Sequence, residues 1–200
     1  MPSLLVVHPS KPFKTVADVI RFARENPGKL NYSSAGIGTS PHLFMELFLH
    51  LTGVSMNHVP YKGAGPSLVD QVGGQVDIGF QTATAVLGYV QQGQLRALAT
   101  STVERFDPLP TLPSVAKSGV PAFDASAWFG MVAPVRTPKA IIDRLNAETM
   151  KALKAPQAAK RLEELGVMVS MNTPEEFGRF MQEEAVKWAK VAKLANIKAE

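Results

Sequence analysis

The sequence contains no cysteine. That removes disulfides, thiolate metal sites and cysteine nucleophiles together, and says nothing about compartment. It has no apolar run near the roughly 18 residues a membrane-spanning helix needs. It also lacks a basic start followed by an apolar stretch and a small-residue cleavage site, so an export signal, if used, is expected outside these residues. Histidine is scarce: His8, His42, His50 and His58 show neither the i, i+4 spacing of a helical metal pair nor a cluster of carboxylates around them. No metal and no cofactor are expected, and no nucleophile–base pair marks an enzyme. The excess of one charge sign is small. Twenty-one basic against 17 acidic residues give +4, which helps attract anions but is no nucleic-acid footprint. Internal repeats and low-complexity tracts are absent as well.

What remains is 200 residues, 46% hydrophobic, enough for one large domain or two small ones around a real core. Leu4-Leu5-Val6-Val7 reads as a buried strand. A helix is expected over 15–26, with Thr15 as N-cap, Asp18 completing the box, and Pro27-Gly28 as the stop. Short strands over 30–32, 55–59, 76–80 and 95–100 then alternate with helices over 41–51, 67–72 and 83–91. That alternation predicts an α/β domain with a parallel-rich sheet and helical crossovers. Four prolines punctuate 101–121, which reads as a surface connection. A strand is expected over 128–133, and helices from Thr137 onward. Thr137-Pro138 and Thr173-Pro174-Glu175-Glu176 read as helix starts, the second with a capping box. Lys187, Lys190, Lys193 and Lys198 share their helix with Glu175, Glu176, Glu183 and Glu184, a solvated face. This second half has helices without the sheet they ought to cover.

The segment running from Ser33 to His42 carries the most chemistry. It leaves a strand, contains Gly36 and Gly38, and opens a helix at Ser40-Pro41. Glycines allow a tight turn, and the first amides of a helix have no internal partner. With Ser33, Ser34, Thr39 and Ser40 supplying hydroxyls, this is a cradle for a carboxylate or phosphate. The alternative is a strand-to-helix turn with an ordinary serine cap. Gly36-x-Gly38 is similar to a dinucleotide fingerprint, but Pro41 stands at the third glycine and Asn57-His58 where the acid belongs. Ser34-x-Gly36 is half a nucleophile elbow, with Tyr32 in place of the first glycine. Two more loops, around Tyr61-Lys62 and Gln81-Thr82, leave predicted strand ends and would converge on the first. Lys62 reads equally as a solvated surface charge, Tyr61 as packing, and His42 as a structural hydrogen-bonding group.

Tyr32-Ser33-Ser34-Ala35-Gly36-x-Gly38-Thr39-x-x-His42, His58-Val59-Pro60-Tyr61-Lys62-Gly63 and Gly73-Gly74-Gln75-Val76-Asp77 together resemble the Bug-type receptors of tripartite tricarboxylate transporters. The likeness continues through Leu95-Arg96-Ala97-Leu98-Ala99, Trp128-Phe129-Gly130, Arg144-Leu145-Asn146 and Lys187-Trp188. It implies a type II periplasmic-binding-protein fold, two α/β lobes closing on a small carboxylated ligand. It implies that the loop from Ser33 to Thr39 binds a ligand carboxylate largely through backbone amides and hydroxyls. Joined to the reading of the loops above, the candidate ligand contacts are Ser33, Ser34, Ala35, Gly36, Gly38, Thr39, Ser40 and His42, with Tyr61, Lys62, Gln81 and Thr82 from the other loops. Gln81 departs from the acid many relatives carry there. The implied partners are a small organic anion and the transporter's membrane subunits, and the implied compartment is the periplasm.

On this resemblance residues 1–118 are expected to form one complete lobe and 119–200 the returning portion of the other, whose first part these residues do not include. The leading function is a non-enzymatic receptor for a di- or tricarboxylate or an acidic amino acid. The alternative is a receptor homologue without ligand binding, acting as an oligomeric interaction protein. Retention in the cytoplasm is the corresponding alternative on location. Because the C-terminal helices lack a sheet, a homodimer or higher oligomer is expected.

Overall fold

In the computed structural model, which describes residues 1–103, 106 and 108–197, short apolar runs alternate with capped helices. Strands β1 (Ser3–Val7), β2 (Asn31–Ser34), β3 (Asn57–Pro60), β4 (Ile78–Thr82) and β5 (Arg96–Thr100) build one sheet, in the order β3-β2-β4-β1-β5. Between them lie α1 (Val16–Glu25), α2 (Ser40–Thr52), α3 (Ala64–Val72) and α4 (Ala83–Gln91). After β5 come α5 (Lys139–Leu153), α6 (Pro156–Glu164) and α7 (Pro174–Leu194). Glu104, Arg105 and Asp107 of the proline-punctuated connection, and Lys198 of the basic face, lie outside the described residues.

The local signals explain these elements. Thr15 caps α1 by accepting from the Asp18 amide, while the Asp18 carboxylate accepts from the Thr15 amide. Gly53 closes α2 at φ 65°, a backbone conformation that suits glycine. Alternate residues of β1 serve two cores. Leu5 and Val7 face Tyr32, Phe44, Phe48, Ile78 and Phe80 under α1 and α2. Leu4 and Val6 face Val86 and Leu95, with Leu68 and Val72 of α3 packed alongside. Helices on both faces of the sheet make the α/β layering expected.

The sheet itself is mixed. β2 pairs in parallel with β3 and β4, but β1 runs antiparallel to both β4 and β5. A uniformly apolar strand buried on both faces fits either direction, so its sequence does not encode which one it takes.

Two expectations for the second half are corrected. Residues 128–133 form no strand; Phe129, Met131 and Val132 stand exposed, because a strand requires a neighbouring edge and none lies beside them among the described residues. And α5 begins after Pro138, which takes the cap position itself, so Thr137 does not cap it. The Thr173 capping box of α7 forms as expected. α7 also folds back onto α2: Trp188 stacks on Phe44 with centroids 5.2 Å apart, and Val191 is buried. Glu184 accepts from the indoles of both Trp128 and Trp188. Within α5 and α6, by contrast, no residue is buried.

Candidate functional site

Because β1 is antiparallel to its neighbours, β2, β3, β4 and β5 all end at the same edge of the sheet. The chain passes from β2 out to β3, then returns across β2 to β4. The crevice between β2 and β4 is therefore a topological switch point, where open α/β sheets bind ligands. Helices α2, α3 and α4 start at this edge, and none of the three has a side-chain cap. Only α1 and α7 carry full capping boxes among the described helices. Three helix N-termini without side-chain caps at one edge make a region of positive potential, open to an anion.

The loop after β2 is held from beneath. The Tyr61 amide donates to the Ser34 carbonyl at 3.1 Å and the Gly63 amide to the Ala35 carbonyl at 3.0 Å, stitching it to the loop after β3. Gly36 has φ 133°, and a Cβ there would lie 3.2 Å from the Tyr61 carbonyl oxygen. The Thr39 hydroxyl does not cap α2; it donates to the Gly36 carbonyl at 2.7 Å. Ser34 is wholly buried, accepts from the Gly36 amide at 3.2 Å and lies 2.6 Å from His58 Nε2.

Beneath the loop stands a stack of rings: Tyr32 on His58, centroids 4.7 Å apart, and His58 on His42, 4.0 Å apart. His42 Nδ1 accepts from the Gly38 amide at 3.0 Å, which leaves its proton on Nε2, 3.7 Å from Glu46. Glu46 also accepts from the Tyr32 hydroxyl. Burial lowers the pKa of His42, against the opposing pull of Glu46. Burial, and then the neighbouring His42, bring that of His58 down to about 4. Both rings are neutral at physiological pH.

The anticipated ligand residues therefore divide. Gly38, Thr39 and Ser40 lie at least partly open at the rim with Thr82, and Lys62 is exposed beside them. Ala35 and Gly36 form the floor. Ser33 is fully buried on the α3 side, its hydroxyl without a hydrogen-bond partner among the described residues, and a Cβ on Gly79 would lie 2.9 Å from that hydroxyl. Gln81 is buried too: its amide donates to Ser67 and Gln71, and Gln71 in turn donates to the Val6 carbonyl. The Tyr61 hydroxyl donates to Asp70, and burial with that carboxylate pushes its pKa up to about 12. The sequence reading gave no role to His58, Glu46 or Gln71. The signal available was parity: Tyr32 and Ser34 share a face of β2, and His58 pairs in register with Tyr32.

Two concavities lie away from this edge. A groove of about 610 Å³ runs between α1 and 109–118, where the N-terminus of α1 is already capped. Another of about 330 Å³ separates the end of α2 from that of α7.

Residues 1–197 match the family described as TctC, the tripartite tricarboxylate transporter family receptor. The chain belongs to that family. Protein BugT of Bordetella pertussis is 33% identical over 198 residues, 99% of this chain and 61% of BugT. Among solved structures, R. palustris Rpa4515 with adipate superposes with a TM-score of 0.92 at 37% identity, covering 98% of this chain and 66% of that one. MatC from Rhodopseudomonas palustris with bound malate gives 0.88 at 30% identity, covering 96% and 66%. This TctC-family chain thus spans about three fifths to two thirds of the length of these three relatives. Its family is one of transporter receptors, not enzymes, and its fold is that of its periplasmic-binding-protein neighbours. Among the described residues no helix is long and apolar enough to cross a membrane.

Proposed function

We propose that this chain carries the carboxylate-binding lobe, residues 1–118, of an extracytoplasmic receptor. It takes a small di- or tricarboxylate or an acidic amino acid and delivers it to the membrane subunits of a tripartite tricarboxylate transporter. The observation that carries this is the edge where the uncapped N-termini of α2, α3 and α4 meet the glycine loop. Adipate on Rpa4515 and malate on MatC, both similar in fold over nearly this whole chain, support a carboxylate as the ligand, and the likeness to the periplasmic binding protein BugD supports the periplasm as the place.

Calorimetry with adipate and malate tests it. For these residues alone, one wall of a two-lobed site, an affinity of about −4 to −5 kcal/mol is expected, high micromolar or weaker. Thr39→Val removes the shortest of the hydrogen bonds that hold the Gly36 carbonyl and should weaken binding by about 1–2 kcal/mol. A folded chain that takes up neither acid would sink the reading; nanomolar binding by a monomer would contradict the one-wall account.

A second reading, an oligomeric interaction protein without ligand binding, draws on the exposed Phe129, Met131, Val132 and Val135 and on α5 and α6, in which no residue is fully buried. An exposed apolar face of this kind marks an association site. Light scattering coupled to size exclusion should give the mass of two chains or more. A single-chain mass at micromolar concentration would count against an oligomer.

A further inference from the structure

We infer that His42 is a positioning residue, holding the Gly36–Gly38 loop in its anion-accepting form only as the neutral tautomer protonated at Nε2, with His58 stacked beneath it as support. This deepens the receptor reading above and rests on it for the identity of the loop.

The geometry leaves His42 one arrangement. Its Nδ1 lone pair receives the Gly38 N–H at 3.0 Å, so a proton at Nδ1 would set two donors against each other. Gly38 immediately precedes Thr39, the N-cap of α2, whose own hydroxyl is turned back to Gly36. The two glycines are thus tied to adjacent rings: Gly38 to His42 directly, and Gly36 through the Ser34 hydroxyl to His58. With centroids 4.0 Å apart, the two imidazoles cannot both be cations without direct repulsion.

The groups around the pair set the sign of the response. From α2 itself, Glu46 faces His42 and favours its proton. From β2, the Tyr32 hydroxyl is taken by Glu46 and the Ser34 hydroxyl by His58 and Gly36. Beyond β3, Tyr61 is paired with Asp70 of α3. From α7, on the far side of α2, Glu184 and Lys187 pair with each other, and Glu184 also accepts from the two indoles. β4 contributes the apolar Ile78 and Phe80. Burial is the larger influence on both rings and disfavours their charged forms. The folded chain therefore binds fewer protons here than the unfolded one. The arrangement is intact above the ordinary histidine pKa of about 6.5 and is lost as the pH falls below it.

The test follows the Gly38 amide and the His42 ring by NMR from about pH 7.5 to pH 5 without ligand, on the whole chain. The amide resonance should move with the His42 midpoint, below about 6.5. His42→Asn, whose side-chain oxygen accepts without titrating, should abolish that movement and keep adipate binding at about pH 7.5 near that of the unmodified chain. His42→Phe, which keeps the stack and loses the acceptor, should bind adipate about tenfold more weakly, the loss of one hydrogen bond that orders a charged-ligand site. A Gly38 amide that stays still while His42 titrates, or an Asn variant as weak as the Phe variant, overturns the inference. Failure of the unmodified chain to bind adipate would instead strike the receptor reading, since the amide titration needs no ligand.

Discussion

Gly36→Val should abolish measurable carboxylate binding at the concentrations that saturate the unmodified chain. At φ 133° the backbone lies outside the conformations a β-branched residue adopts, and the added Cβ would press on the Tyr61 carbonyl oxygen at 3.2 Å. That oxygen belongs to a loop fixed by the Tyr61 and Gly63 amides, so it cannot give way without breaking their bonds to Ser34 and Ala35. The loop must move instead, taking the Gly36 carbonyl from Thr39 and the Gly36 amide from Ser34. Strain of about 1–3 kcal/mol together with the lost ligand contacts gives roughly a hundredfold weaker binding. Gly38→Ala is the contrast. Its φ of 76° is also left-handed, but nothing lies within 4 Å of the new Cβ, so only about 1–2 kcal/mol of backbone strain is added. Calorimetry that found the valine variant binding as well as the alanine variant would show that the floor of the loop is not held as described.

Gln71→Leu should lower stability by about 2–4 kcal/mol, close to the full loss of two buried hydrogen bonds. Gln71 is fully buried, donates to the Val6 carbonyl at 3.0 Å and accepts from Gln81 at 2.9 Å. Val6 sits where the register between β1 and β5 shifts, so the side chain serves the sheet at an irregularity. Leucine matches the volume but leaves the Val6 carbonyl without that donor and Gln81 without one of its two acceptors. Thermal unfolding should fall by about 2–4 °C for each kcal/mol at this chain length. A double-mutant cycle with Gln81→Leu should show coupling of about 0.5–3 kcal/mol. No coupling, with Gln81→Leu weakening anion binding and leaving stability unchanged, would make Gln81 a ligand contact and not part of this network.

Much of the first half could be read from local chemistry. The Thr15–Asp18 capping box, the Gly53 stop and the strand-to-helix turn at Ser33–Ser40 are short-range devices, and each formed where its residues stand. The resemblance carried the reading further, to the family itself. What stayed hidden depends on residues far apart in the chain. The direction of β1 is set by partners distant in sequence. The aromatic and apolar run from Trp128 has the composition of a strand, yet hydrogen-bonding edges, not composition, make one. The histidine stack required knowing that Tyr32 and His58 are paired in register across β2 and β3. Likewise, Gln81 reads from the sequence as following a strand, as a ligand residue would, but it lies within β4 and its side chain points to the α3 face, where Ser67 and Gln71 receive it.

The placement of β1 has a kinetic consequence. Leu4 stands in register with Gln81 on one side and Thr100 on the other, so this strand, synthesised ahead of both its neighbours, must wait for them. β2, β3 and β4 can assemble from nearby segments through α2 and α3, but β5 joins the sheet only through β1. Closing those long loops raises the contact order, which slows folding relative to a sheet zipped in chain order. Until β1 arrives, β4 and β5 each present an unpaired edge. That interval is when the chain is most exposed to pairing with another copy of itself, and a swapped β1 would satisfy the same bonds in the wrong molecule.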